Sequence, residues 1–181
     1  MPESPTRILV LGPCGAGKST LAVRLGAALG LPVIHLDKEY WRPGWVEPEP
    51  EQWLPRIEAL IARPRWIMDG NFGGTLGRRL ERAQLVVNLD YPRSVFFPRL
   101  VWRVLSQYGR TRADMAPGCV ERFDLEFLRY TWRYRIDVLP RREARLGAAG
   151  VPVIDFRAPR ETEAWLAAGA PLDGPSAPKR R

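Results

Sequence analysis

The sequence predicts one α/β domain built on a parallel sheet with helices on both faces. Two observations carry this. Five short apolar runs suited to strands alternate along the chain with segments of helical period. The turn after the first run, Gly12-Pro13-Cys14-Gly15-Ala16-Gly17-Lys18-Ser19, fits G-x-x-x-x-G-K-[ST] between a strand and a helix. A chain of 181 residues, 45% apolar and 27% charged, is long enough to bury one core without disulfide or metal staples.

The elements follow in order. Ile8-Leu9-Val10-Leu11 makes Arg7–Leu11 a strand buried on both faces. Leu21, Leu25, Ala28 and Leu29 give Lys18–Leu29 a helical face. Val33–Leu36 is the second strand, and the Trp-, Pro- and Gly-rich stretch from Tyr40 to Pro50 reads as an ordered loop. A helix near Glu51–Ala62 leads to the strand Trp66–Met68. A helix near Thr75–Arg82 leads to the strand Leu85–Leu89, and another covers Arg93–Gln107. The polar, basic segment at about 107–119 stands between long helices and is a candidate lid. A helix at Val120–Leu139, a strand at Val151–Phe156 and a helix near Arg160–Ala168 complete a domain spanning 1–168. Residues 169–181 read as a disordered tail.

Net charge is +8, carried mostly by arginine, whose planar fork suits phosphate. The same charge suits nucleic acid, so charge alone separates neither reading. No apolar run is long enough to span a membrane, and the N-terminus lacks a signal-peptide layout. Cys14 and Cys119 have neither C-x-x-C nor zinc spacing. A cytoplasmic protein, monomeric or weakly dimeric, is expected.

In open α/β sheets ligands bind beyond the carboxyl ends of the strands, so functional residues are expected there. Backbone N–H groups of Gly12, Pro13, Cys14, Gly15, Ala16, Gly17, Lys18, Ser19 and Thr20 (proline supplying only its fixed turn) form the candidate ATP-phosphate cradle at a helix N-terminus. Lys18 reaches the β and γ phosphates, and Ser19 offers a hydroxyl to Mg²⁺. Asp69, at the third strand end, is a second candidate for Mg²⁺. Asp37, at the second, is the candidate that takes the acceptor's proton, although sequence alone leaves the two roles interchangeable. Asp90 and Asp155 end the fourth and fifth strands. Positive charge for the transition state is expected from Arg110 and Arg112 in the lid and from Arg122 beyond it. Tyr40, Arg42, Asn71 and Arg78 are candidate acceptor contacts. Phe123, Phe127, Tyr130, Tyr134 and Val138 read as a core stripe, and His35 as a core residue.

These pieces resemble the adenylate-kinase-like P-loop kinases. They are most similar to the bacterial topology-modulation protein family. The resemblance rests on Gly12–Ser19, His35-Leu36-Asp37-Lys38 with Tyr40-Trp41 and Pro43-Gly44-Trp45, and Trp66-Ile67-Met68-Asp69-Gly70-Asn71-Phe72. It extends through Gly109-Arg110-Thr111-Arg112 with Asp114-Met115, and Asp124-Leu125-Glu126-Phe127-Leu128. The resemblance implies strand order 2-3-1-4-5, lid arginines at Arg112 and Arg110 that close over phosphates, and a segment from Arg157 flanking adenine. One departure stands out. Such kinases carry Asp-Gly-Phe-Pro-Arg after the third strand, whereas this chain has Asp69-Gly70-Asn71-Phe72-Gly73. The reading is Mg-assisted phosphoryl transfer from ATP to an unidentified small metabolite or nucleotide. The alternative is an ATP-binding regulator associated with DNA topology that lacks small-molecule kinase activity.

Overall fold

The computed structural model describes residues 4–172. Strands β1 (Arg7–Leu11), β2 (Val33–His35), β3 (Trp66–Asp69), β4 (Leu85–Leu89) and β5 (Val153–Phe156) form one sheet in the order β2-β3-β1-β4-β5. All neighbouring pairs are parallel. The order reverses around β1, so the crevice at its carboxyl end is where such a sheet takes a ligand.

Helices α1 (Lys18–Leu29), α2 (Leu36–Tyr40), α3 (Pro50–Ile61), α4 (Leu76–Arg82), α5 (Arg93–Ser106), α6 (Leu125–Asp137), α7 (Leu139–Ala149) and α8 (Pro159–Ala167) surround the sheet. Strand alternation divides the core. Ile8 and Val10 join Leu21, Leu25 and Phe96 on one face, while Leu9 and Leu11 join Ile57, Leu60 and Leu80 on the other.

Two elements differ from the sequence expectation. The helix expected from Val120 begins at Leu125, because Val120 bridges to Thr111 and closes the lid as a loop. Asp124 then caps α6 by accepting the Phe127 N–H at 3.0 Å. Helix α7 was not expected at all. Its signals are nevertheless local: Pro140 in the first turn and left-handed Gly150 after the last. Its inward face of Leu139, Arg142 and Leu146 contains an arginine, which hides the apolar period.

The supposed core stripe is also different. Tyr134 is buried, but Phe123 and Tyr130 are about half exposed, at 56% and 47%. At the chain's far end Ala170 packs in the core and Trp165 donates to the Pro171 carbonyl at 3.1 Å. Ala170 and Leu172 therefore pack on the core while Gly169 and Pro171 stay exposed, and the rest of the expected tail lies outside the described residues. Among the described residues no helix is long and apolar enough to cross a membrane.

Candidate active site

The phosphate loop is shaped by steric demands that only glycine meets. Gly15 has φ +85°, and a Cβ there would fall 2.2 Å from the Phe96 carbonyl oxygen, so the loop sits directly on α5. Gly17, at φ +89°, opens α1; a Cβ on it would meet nothing within 4 Å. The loop therefore packs on one side and leaves room on the other, as a phosphate cradle requires. Lys18 folds across it, its Nζ donating to the Pro13 carbonyl at 3.0 Å.

The loop after β3 braces this cradle. Asn71 accepts from the Gly12 N–H at 3.3 Å and donates to its carbonyl at 2.8 Å. Asn71 is thus a clamp on the phosphate loop, although it also lines the cleft. Its own position is held by Arg79, which is 0% exposed and donates to the carbonyls of Gly70, Asn71 and Phe72. Burial without a carboxylate partner pulls the Arg79 guanidinium down to about 9. Phe72 takes a left-handed backbone, φ 32°, at the point where Arg79 grips it.

A cleft of about 910 Å³ opens in front of the loop. Its lining combines Cys14, Lys18, Asp37, Tyr40 and Asn71 from the phosphate loop and the strand ends with Arg112, Arg122, Tyr130 and Arg142 from the lid and the helices after it. Burial raises Asp37 above the usual carboxylate range. Lys18 opposes this shift, and the neighbouring Asp69 reinforces it. Asp69 is 4% exposed and does not line the cleft; it lies behind, accepting from His35 Nδ1 at 2.8 Å. That bond is the main reason the imidazole is raised above its ordinary value, against the opposing effect of its burial. His35 is thus the partner of a strand-end carboxylate rather than a core residue.

The lid is docked on the aromatic loop. Met115, Ala116 and Cys119 pack against Trp41 and Trp45, and Trp45 Nε1 donates to the Val120 carbonyl at 2.7 Å. Tyr40 meets Trp41, Trp53 and Phe72 at centroid distances of 5.0, 4.9 and 4.8 Å. Arg112 lines the cleft but is engaged by Asp114 at 3.2 Å and Glu121 at 3.0 Å. Arg103 of α5 meets the same Glu121 at 3.6 Å. Burial would raise Asp114, but Arg112 and the Ser19 hydroxyl together hold it below the usual range.

Several expected site residues lie elsewhere. Arg110 is exposed and outside the cleft lining, because the Thr111–Val120 bridge turns that edge of the lid to solvent. Arg78 pairs with Glu58 at 2.5 Å on the surface. Arg42 donates to Gln52 at 3.0 Å and lines a separate cavity of about 510 Å³. Arg157 is exposed, its N–H held by Glu161 at 2.7 Å, and its residue does not line the cleft. Arg122 stands at the cleft, 4.0 Å from Asp124, and Thr20 is exposed. Asp90 pairs with Arg135, and Asp155 accepts from Asn88.

Sequence reasoning missed the basic wall of α7, where Arg141, Arg142 and Arg145 line the cleft. Arg145 donates to the carbonyl of Gly73, the position at which the resembling kinases carry arginine. The residues present suit ATP and Mg²⁺: an open glycine cradle, a lysine and a helix-start hydroxyl. Among the described residues no group of three or more His, Cys, Asp or Glu could hold a metal alone. Mg²⁺ typically takes only one or two protein oxygens beside substrate phosphates and waters.

No protein-family model matches the chain, and no curated protein matches it. Solved structures do. A gluconokinase from Sinorhizobium meliloti 1021 is 19% identical, with 93% of this chain and 95% of that chain covered, at TM-score 0.50. A shikimate kinase from Acinetobacter baumannii in complex with shikimate is 18% identical, with 89% of each chain covered, at TM-score 0.53. A shikimate kinase from Bacteroides thetaiotaomicron is 17% identical, with 91% and 96% covered, at TM-score 0.51. The five-stranded parallel sheet in the order 2-3-1-4-5, with its surrounding helices, is the fold of the P-loop kinases.

Proposed function

We propose that the protein is an ATP-dependent kinase of a small metabolite or nucleotide, with Asp37 as the acid–base group. The observation that carries this reading is that Lys18 and Asp37 line one cleft large enough for a second substrate, near enough for Lys18 to oppose the rise of Asp37. A carboxylate of raised basicity facing room for an acceptor is what proton removal in phosphoryl transfer requires.

In the proposed reaction an acceptor oxygen bonds to the γ-phosphorus while the bond to the ADP oxygen breaks. The acceptor's proton passes to Asp37. Its raised pKa improves it as a base, because the buried carboxylate gains more by taking a proton. Lys18 leaves the Pro13 carbonyl to meet the β and γ phosphates. Mg²⁺, held by the Ser19 hydroxyl and phosphate oxygens with Asp37 or Asp69 nearby, would neutralise charge on the transferring group. Docking of the lid on Trp41 and Trp45 excludes water and so limits wasteful hydrolysis. The gluconokinase and shikimate kinases that share the fold support transfer to a hydroxylated metabolite.

The test is ADP release from Mg-ATP across a panel of nucleosides, nucleoside monophosphates and hydroxylated metabolites. Acceptor-dependent turnover that disappears in Lys18→Ala supports the kinase. Nucleotide binding without turnover on any acceptor, together with salt-sensitive DNA binding, would replace it with the regulatory reading.

A further inference from the structure

We propose that Arg142 is the seat for an oxyanion, a carboxylate or a phosphate, carried by the phosphoryl acceptor. The acceptor is then an anion with a phosphorylatable group at its other end. This rests on the kinase reading and names the substrate class of the same cleft.

Arg142 projects from α7 into the cleft wall and is 4% exposed. Its Nη1 donates to the Tyr134 hydroxyl at 2.5 Å, and its guanidinium carbon lies 5.5 Å from the Tyr134 ring centroid. Nε and Nη2 have no hydrogen-bond partner among the described residues. These two nitrogens form the side-on edge of the guanidinium, where two N–H bonds run parallel and match a pair of oxygens. A buried cation with that edge unpaired is costly unless an anion comes to it.

The other arginines make the contrast. Arg79 is also buried without a carboxylate, but its terminal nitrogens serve three backbone carbonyls and hold a loop. Arg112, Arg133 and Arg135 each have an acidic partner. Arg142 alone of these combines burial, a cleft position and an empty fork.

Its location fits an acceptor that spans the cleft. Tyr130, Arg142, Cys14 and Asp37 all line the cleft, and the Tyr130 hydroxyl is near enough to feel the other three. An acceptor with its anion at Arg142 would pass Tyr130 and present its nucleophile toward Asp37. Nε and Nη2 are shut off from water in the unliganded chain, so neighbouring side chains must shift to admit the anion. Tyr130 lines the same cleft and is about half exposed. Arg145, tied to Gly73, adds positive charge to the same wall.

The experiment begins with the phosphate loop filled by saturating ADP. Inorganic phosphate or malonate is then titrated against wild type, Arg142→Lys and Arg142→Gln by calorimetry. Binding to wild type that weakens about tenfold or more in both variants is expected, since lysine keeps charge but loses the fork. ADP affinity and circular dichroism must stay at wild-type values. Unchanged anion binding in the folded variants overturns the proposal, as does failure of both anions to bind wild type. Whichever anion binds more tightly identifies phosphate or carboxylate as the class.

Turnover on paired acceptors, glycerol against glycerate and glycerol 3-phosphate, forms the second arm. Preference for the anionic members, with KM raised in Arg142→Lys, is expected. Turnover on neutral acceptors only overturns the anion seat and leaves the kinase standing. Anion binding at Arg142 without turnover on the whole panel sinks the kinase reading and leaves the anion site. Should neither variant fold, a crystal structure of the wild-type ADP complex grown with phosphate decides. Phosphate bonded to Nε and Nη2 supports the seat, and an ADP complex without it there overturns it.

Discussion

On the phosphate-loop side of the cleft, position is set by backbone: Gly15 lies against the Phe96 carbonyl, and Asn71 closes two hydrogen bonds on Gly12. Around the lid and α7, position is set by guanidinium groups: Arg112 and Arg103 share Glu121, and Arg142 rests on Tyr134. Backbone contacts have one solution and give a pre-organised cradle. Guanidinium groups hold oxygens of more than one kind, so this second set is the part that an anionic ligand would rearrange on the proposed reading. On the proposed reading, the comparison assigns binding of ATP and choice of acceptor to different parts of the molecule.

The largest test of this division is Lys18→Ala. Turnover should fall by about 10²-fold or more, the range seen when a preorganised electrostatic contact to the transition state is removed. Thermal stability should barely change, because Lys18 bonds only one carbonyl of its own loop. Arg79→Leu should do the reverse. Three carbonyls lose their donor, so denaturant unfolding should report a loss of about 3 kcal/mol or more, with turnover falling because Asn71 is released.

Within the second set, Arg112→Ala should lower turnover by about tenfold while nucleotide affinity stays within about twofold. A loss of affinity equal to the loss of rate would show that Arg112 belongs to the ATP cradle. Asp37→Asn should abolish turnover yet raise the melting temperature at neutral pH. The sign follows from burial: a carboxylate with a raised folded-state pKa costs stability once ionised. The gain should therefore vanish as pH falls below the unfolded value of 3.8.

The smallest effect concerns His35, the chain's single histidine and so a clean NMR probe. Its imidazole should titrate above 6.5, and Asp69→Asn should move it down. Stability from this pair is present in full below pH 6.5 and is lost as pH rises through the raised value. An imidazole unmoved by Asp69→Asn would remove Asp69 from its place behind the cleft.

The phosphate loop was legible because each of its requirements is local: a strand, glycines at fixed spacing, a lysine and a hydroxyl. The loop between α5 and α6 was legible in outline, as was the placing of Asp37 and Asp69 at the ends of adjoining strands. The arginines were harder to read. Arg78 and Arg79 are neighbours in sequence, yet one pairs with Glu58 on the surface and the other is fully buried under the Asn71 loop. A helical turn of about 100° separates their fates, and only packing decides which faces inward.

By itself, the sequence determined the parallel α/β fold and the phosphate cradle, since strand period, glycine freedom and helix start all act over a few residues. Tertiary structure alone decided which charged groups meet. It set Asp69 on His35, turned Arg110 and Arg78 outward, and brought Arg142 of α7 into the cleft that the phosphate loop lines. Such meetings depend on helix rotation and on contacts between residues far apart in the chain, which no local pattern encodes.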